Sequence, residues 1–587
     1  MCGFTGYFSF SSALNKGVSE RIAQLNKTLV HRGPDHAGLF EDDRFCVGHR
    51  RLAIIDLDER SNQPFLSPDK RYVLAYNGEI YNYKALREDL ESSFTFSTES
   101  DTEVLLAGLI NEGSSFISKL NGCFAFAFYD TQKKELLLAR DPFGIKPLYF
   151  TKDDNGIAFA SEERALLDRH QEINLDEVKN VLSYTYSIRG SITKNTQQLA
   201  PRSFFASSSQ STNSYPNNVT TDIDLFNALD GAVERRLVAD VPVGCFLSGG
   251  LDSSIVSALA SKKHPNINTF SIGFKDRPHL DETSFAEEVA KHIGSNHHTF
   301  KLSFDDLGDI SKSYLNQVDT AFADSSALAV YFLSQECRKH VTVALSGDGA
   351  DELFGGYRKH RAMLLANKMP SALAKAMNSL IKSSGSRETE AADKKRQVKK
   401  MLELATIPSE IRAGYLAQWN SDEEVNRLLT AGRRSELAAQ ADFLRFDQQI
   451  VLPNDMLVKV DRMSMRHSLE VRVPFLDPNV VAIANAIPMD QKVSRKEGKI
   501  ALKKTFGHLL PASILERSKK GFEVPLSSLL NGPLAAIMQR TSTSESLAAI
   551  GFDLKELKQI IADHTSGKQD HAHLIWAVLV LEAALKN

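Results

Sequence analysis

The sequence predicts two domains of different class: a strand-rich α+β unit, then an α/β unit whose parallel sheet is covered by helices. Three observations predict it. At 587 residues the chain is long enough for two to four domains at roughly 150 residues each. A polar stretch from Ala206 to Asn218 has five Ser and three Asn in thirteen residues and no hydrophobic period, so it reads as an exposed connector. On either side of it the hydrophobic pattern differs. The expected layout is a first domain over 2–205, a linker over 206–219 and a second domain over 220–587.

Upstream, short apolar or alternating runs read as strands: Phe4, Gly6 and Phe8; Tyr72 to Tyr76; Phe124 to Tyr129; Leu136 to Ala139; Leu148 to Phe150; Ile157 to Ala160. Asn77-Gly78 and Asp154-Asn155-Gly156 read as turns between them, and Val18 to Leu29 and Thr102 to Ile110 as helices. Downstream, a helix is expected from about Asp222, with Ile223, Phe226, Val233 and Leu237 on one face. Then apolar strands alternate with glycine loops and helices, the pattern of a parallel sheet. Lys368 to about Ala441 is helical in composition, and its basic cluster Lys394, Lys395, Arg396, Lys399 and Lys400 reads as a solvated face.

Composition excludes several classes. With 70 Lys+Arg against 73 Asp+Glu, the chain lacks the cationic surplus that phosphate neutralisation requires, so no nucleic-acid partner is expected. The greasiest run, Leu574 to Leu581, ends at Glu582, far short of the roughly 18 apolar residues of a membrane span. MCGFTGYFSF has no basic region before an apolar core, which argues against a secretory signal. Five scattered cysteines fit neither a disulfide framework nor a zinc site, and a reducing cytoplasm is the expected compartment. Cys46, Cys123 and Cys245 read as small core residues, and His297-His298 as core or surface histidines.

Cys2 becomes the first residue once the initiator Met is removed. Its α-amine, with an ordinary pKa near 8, can then serve as base for its own thiol. In order and spacing, Cys2, His31-Arg32-Gly33-Pro34-Asp35, Arg51, Asn77-Gly78-Glu79, Ser100-Asp101 and Arg140-Asp141-Pro142-Phe143-Gly144 resemble the N-terminal-nucleophile (Ntn-hydrolase) glutaminase domain of class II glutamine amidotransferases. The resemblance implies an αββα sandwich, with Cys2 attacking the glutamine amide and Asn77 and Gly78 forming the oxyanion hole. It further implies glutamine binding by Arg51, Asn77, Glu79 and Asp101. A fixed cation and a fixed anion are what a zwitterion demands.

The second domain carries two strand–loop–helix units. Val243 to Leu247 leads into Ser248-Gly249-Gly250-Leu251-Asp252-Ser253-Ser254, and Val341 to Leu345 leads into Ser346-Gly347-Asp348-Gly349-Ala350-Asp351-Glu352. Glycines let backbone approach a phosphate, and a following helix N-terminus supplies free N–H groups. The first loop lacks the Lys of a Walker motif. It resembles instead the PP-loop of ATP pyrophosphatases, which split ATP into AMP and pyrophosphate. With Phe270 to Phe274, Asp461-Arg462-Met463-Ser464-Met465, Glu470 to Asp477 and Gly498-Lys499, the domain resembles the synthetase domain of glutamine-dependent asparagine synthetases.

That resemblance implies ATP binding by Leu247, Ser248, Gly249, Gly250, Asp252, Ser253, Ser254, Ile272, Ser346 and Gly347, and Mg2+ on Asp252 and Asp351. It implies Lys499 at the α-phosphoryl group and Asp348 at the position proposed to deprotonate ammonia. The activity implied is release of ammonia from glutamine, adenylation of aspartate and amidation of the adenylate, with an internal route for the ammonia; a homodimer is compatible with it. The sequence departs from the family's pattern in two places. Asp348 stands where the best-known members have Glu, and Phe322 to Ala327 holds no Arg to pair with an α-carboxylate. Aspartate and another carboxylate, such as a uronic acid in surface-polysaccharide synthesis, both stay open as acceptor.

Overall fold

A computed structural model describes residues 2–167, 172–216, 223–276, 281–380, 390–435, 442–517 and 524–586. Three sheets organise the chain. The first has strand order Gln197–Gln198, Tyr149–Lys152, Gly156–Ala160, Gly3–Ser9, Phe45–Arg51, His36–Glu41. The second runs Ser211–Ser214, Ser203–Ala206, Glu135–Arg140, Gly122–Asp130, Tyr72–Ile80, Phe65–Leu66. Both are antiparallel throughout.

Alternation along these strands puts one residue set between the sheets and the other under helices. Phe4, Phe8, Phe45 and Val47 of the first sheet meet Val73, Ala75, Ala127 and Tyr129 of the second. The Phe45 and Tyr129 rings stack at 4.4 Å. Val18–Lys27 covers the outer face of the first sheet through Val18 and Ile22, and Tyr83–Leu90 with Asp101–Glu112 covers that of the second. The expected αββα sandwich is present.

The third sheet is parallel, in the order Asn296–Leu302, Asn268–Phe274, Val243–Phe246, Val343–Leu345, Glu470–Arg472. Both glycine loops leave the carboxyl ends of adjacent strands, Val243–Phe246 and Val343–Leu345, where open α/β sheets place ligands. The helix Ala572–Lys586, which contains the greasy run, is a core element wrapped by other helices.

Three expectations are corrected. Asn77-Gly78 is not a turn but lies inside Tyr72–Ile80, opposite Ala125 and Phe124. Glycine is needed there because a Cβ on Gly78 would sit 2.1 Å from the Cys123 carbonyl oxygen. The connector is partly sheet, since Ser211–Ser214 pairs with Ser203–Ala206; 217–219 lie outside the described residues. Leu175–Tyr184 packs Val178, Val181 and Leu182 into the same core as Trp576. The helix near Asp222 starts at Leu225, capped by the Asp224 carboxylate, and buries Leu225, Leu229, Ala232 and Val233, while Ile223 is exposed. Helices do fill much of 368–441, but the side chains of Lys394, Lys395 and Arg396 lie outside the described residues.

Leu581 is wholly buried in the helical core. Leu581→Ala is expected to lower unfolding free energy by about 2–5 kcal/mol through lost transfer energy and a residual cavity, read as a reduced denaturant midpoint at unchanged m-value.

Candidate active sites

Cys2 leads into Gly3–Ser9, an interior strand of the first sheet. Its main-chain N–H donates to Asn77 Oδ1 at 3.0 Å, and its carbonyl accepts from Arg32 Nε at 3.1 Å. Burial pushes the thiol above its ordinary range, opposed by the Leu52 N–H and by Arg51. A thiol kept neutral in this way needs a base to become a nucleophile. Asn77 Nδ2 is buried and has no partner among the described residues. An orphaned donor on the side chain that holds the Cys2 nitrogen suits negative charge that develops only during a reaction.

A recess of about 330 Å³ brings Cys2, Arg51, Gly78, Glu79 and Asp101 together. The Arg51 guanidinium is held by the carbonyl oxygens of Ile55, Asp56 and Asp58 and by Asn62 Oδ1. No carboxylate pairs with it among the described residues, so its charge is left for an anion. Asp101 stands at the N-terminus of its helix and accepts from the Tyr76 hydroxyl at 2.9 Å and the Ile80 N–H at 3.0 Å. Glu79 points across the domain boundary as well, with Oε2 3.3 Å from Arg472. Burial, reinforced by Asp101, raises the Glu79 carboxyl well above the usual range against that cation.

Ser248 to Ser254 curls from the Val243–Phe246 strand into the helix Leu251–Lys263. Gly249 has φ +69°, and a Cβ there would meet the Ala286 nitrogen at 2.6 Å, so loop chemistry and space both require glycine. Ser253 Oγ is within hydrogen-bond distance of Ser248 Oγ and the Gly250 carbonyl, closing the loop on itself. Ser254 Oγ is buried without a partner among the described residues. Leu247 is wholly buried and its N–H donates to the Phe270 carbonyl, whereas Ile272 is half-buried on the neighbouring strand.

The second loop touches the first. A Cβ on Gly347 would meet Asp252 Cβ and the Ser253 nitrogen at 2.8 Å each. Lys499 Nζ lies 2.5 Å from Asp252 and 2.6 Å from Asp351, so the two carboxylates converge on a single cation. Lys499 is itself an N-cap in the left-handed region, with φ 56°. Two buried carboxylates beside a phosphate cradle are a donor set that fits Mg2+, which completes its shell with phosphate oxygens and water. Asp348 turns back on its own loop, Oδ2 accepting from Ser346 Oγ at 2.7 Å.

Sequence reasoning missed a third group. On the helix Leu457–Met465, Lys459 donates to Asp324 Oδ2 at 2.9 Å and to Ser326 Oγ at 3.0 Å, and it feels the charge of Asp348. It brings a cation against Phe322 to Ala327, a segment with none of its own. Asp455, 9% exposed, comes from the π-helix Asp447–Met456, and its Oδ1 has no partner among the described residues. Burial and the adjacent Asp324 push its carboxyl well above the ordinary range, while Lys459 holds Asp324 low against burial. The available signal was a lysine among Leu457, Val458 and Val460, an apolar setting where Lys is seldom buried unpaired.

His297 bonds to Thr269 and Ser271, and His298 to Asn268, inside the parallel sheet. All five cysteines are free and buried. Among the described residues no helix is long and apolar enough to cross a membrane.

A terminal-cysteine αββα domain joined to a parallel-sheet domain with a PP-loop defines a glutamine-dependent amidotransferase that uses ATP. Residues 1–216 match the glutamine amidotransferase domain model and residues 224–586 the asparagine synthase model. The chain is 33% identical to asparagine synthetase [glutamine-hydrolyzing] 1 of Bacillus subtilis, over 99% of this chain and 96% of that one. It is 31% identical to a putative asparagine synthetase of Mycobacterium tuberculosis over the same shares. Asparagine synthetase B of Escherichia coli is 33% identical over 63% of this chain and 66% of its own. The chain belongs to the glutamine-hydrolysing asparagine synthetase family and is an ATP-dependent amide ligase with glutamine as amido donor.

A Cβ on Gly356 would lie 1.8 Å from Asp351 Oδ1 and 2.1 Å from Lys499 Cε. Gly356→Ala is therefore expected to cut ATP-dependent pyrophosphate release by about 100-fold, the scale of an ångström-sized misplacement, while glutamate release from glutamine stays within about twofold.

Proposed function

We propose that the chain is a glutamine-dependent asparagine synthetase, with aspartate as acceptor. The observation that carries the choice of acceptor is the group formed by Lys459, Asp324 and Asp455 next to Asp348. A buried cation among carboxylates, one of them with an unpartnered oxygen, matches a small zwitterion carrying both an α-carboxylate and an α-ammonium. A uronic acid brings no ammonium for Asp324 and Asp455.

After Met removal, the Cys2 α-amine takes the thiol proton and the thiolate attacks the glutamine side-chain carbonyl. Arg51 and Asp101 hold the two ends of the amino-acid head. Asn77 Nδ2 and the Gly78 N–H receive the oxyanion, ammonia leaves with the proton returned by the amine, and water cleaves the thioester to glutamate. In the second domain the Ser248 to Ser254 loop cradles the ATP phosphates, with Ile272 and the Leu247 backbone beside adenine. The aspartate side-chain carboxylate attacks the α-phosphorus, pyrophosphate departs, and Lys499 offsets charge on the phosphoryl oxygens. Asp252 and Asp351 would hold Mg2+, which when bound neutralises the triphosphate. Ammonia displaces AMP from the acyl-adenylate, and Asp348, freed from its bond to Ser346, accepts the surplus proton. Ammonia free in water at pH 7 is mostly ammonium and not nucleophilic, so it passes between the sites inside the protein.

Pyrophosphate release with Mg-ATP, ammonium and a panel of carboxylates tests the acceptor. Aspartate is expected to give the signal; silence with aspartate and turnover with a sugar acid would replace it. Cys2→Ala is expected to reduce glutamine-driven amidation by at least about a thousandfold, as loss of a nucleophile does, and to spare ammonia-driven amidation.

A further inference from the structure

One residue of the ATP-using domain reaches the glutaminase nucleophile through a single intermediary. Arg32 is wholly buried and its guanidinium fork is shared three ways. Nε donates to the Cys2 carbonyl at 3.1 Å, Nη2 to Asp461 at 2.9 Å and 3.2 Å, and Nη1 to Glu162 at 3.4 Å. Asp461 belongs to the helix Leu457–Met465, which also carries Lys459 into the acceptor group. Lys146, likewise wholly buried, lies 3.4 Å from Asp461 Oδ1.

We propose that Asp461 is a positioning residue for glutamine hydrolysis, supplied by the synthetase domain and acting through Arg32 on the main chain of Cys2. The main chain of Cys2 is gripped at two points, its nitrogen by Asn77 and its carbonyl by Arg32. Of the two carboxylates that hold the Arg32 fork, Asp461 makes the shorter, two-oxygen contact, and Glu162 is also engaged by His31 at 2.8 Å. Without the Asp461 charge the buried guanidinium is drawn toward Glu162, and Nε leaves the Cys2 carbonyl. The thiol and α-amine then lose their fixed position relative to the bound amide, while Arg51 and Asp101 are untouched. The defect falls on turnover and not on glutamine binding.

The inference rests on the glutamine-hydrolysing reading but not on the identity of the acceptor. The test uses the full chain and two assays: glutamate release from glutamine without ATP, and pyrophosphate release with Mg-ATP, aspartate and ammonium chloride. For Asp461→Asn, kcat for glutamate release is expected to fall by about 100-fold with the glutamine KM within about threefold, and the ammonia-driven reaction to hold within about twofold. Asp461→Glu, which keeps the charge, is expected to recover most of the loss. Arg32→Lys keeps a cation opposite Asp461 but removes the fork, and is expected to show the same selective defect should Asp461→Asn not fold. Unchanged glutamate release in Asp461→Asn overturns the proposal, as does an equal fall in both reactions without recovery in Asp461→Glu. A wild-type chain that releases no glutamate overturns the glutamine-hydrolysing reading itself.

Discussion

Charge buried between the two domains is the constraint on which the rest of the architecture depends. Arg472, in the last strand of the parallel sheet, is almost wholly buried; its guanidinium pairs with Glu470 at 2.5 Å and Glu79 at 3.3 Å and donates to the carbonyls of Arg236 and Val238. Arg32 is the counterpart from the other side, closed by Asp461. Breaking one partner of such a pair leaves an uncompensated buried ion, which costs about 3–5 kcal/mol. Each domain therefore completes the polar interior of the other. The Cys2 recess and the end of the parallel sheet meet at the same seam: the Ser346 N–H donates to the Arg472 carbonyl, and Glu470, held low by the cations facing it despite burial, lies within electrostatic reach of Cys2, Glu79 and Asp101.

The nucleotide end obeys a related rule with glycines as the instrument. Two acidic side chains can share one buried ammonium only if backbone comes very close, and Gly347 and Gly356 are where it does. Lys499 compensates Asp252 and Asp351, so the carboxylates are already gathered where a triphosphate and its counter-ion would meet them. The group around Lys459 uses different material. A π-helix carries Asp455 beside an ion pair formed by Asp324 and Lys459, the kind of helix irregularity that recurs at functional sites.

Much of this was legible in the sequence because it is local. The SGGLDSS loop, the second glycine loop and the N-terminal cysteine are contiguous motifs whose chemistry follows from residue type, and the switch from short alternating runs to strand–loop–helix units marks the two fold classes. What escaped depends on contacts between distant positions. Asn77-Gly78 looks like a turn until Cys123 is placed against it. The polar segment Ser211–Ser214 gives no hydrophobic signal because it is an exposed edge strand, held by its ladder to Ser203–Ala206. Asp461 and Arg32 are separated by 429 positions, and Lys459 and Asp324 by 135, and no spacing rule spans such gaps.

A shared interior for the two centres, closed by the buried seam, is tested most directly by following nitrogen. With glutamine labelled with 15N at the side-chain amide and unlabelled ammonium in the medium, the product amide is predicted to be enriched well above the mixed ammonium pool. Product whose enrichment matches the mixed ammonium pool would contradict the claim.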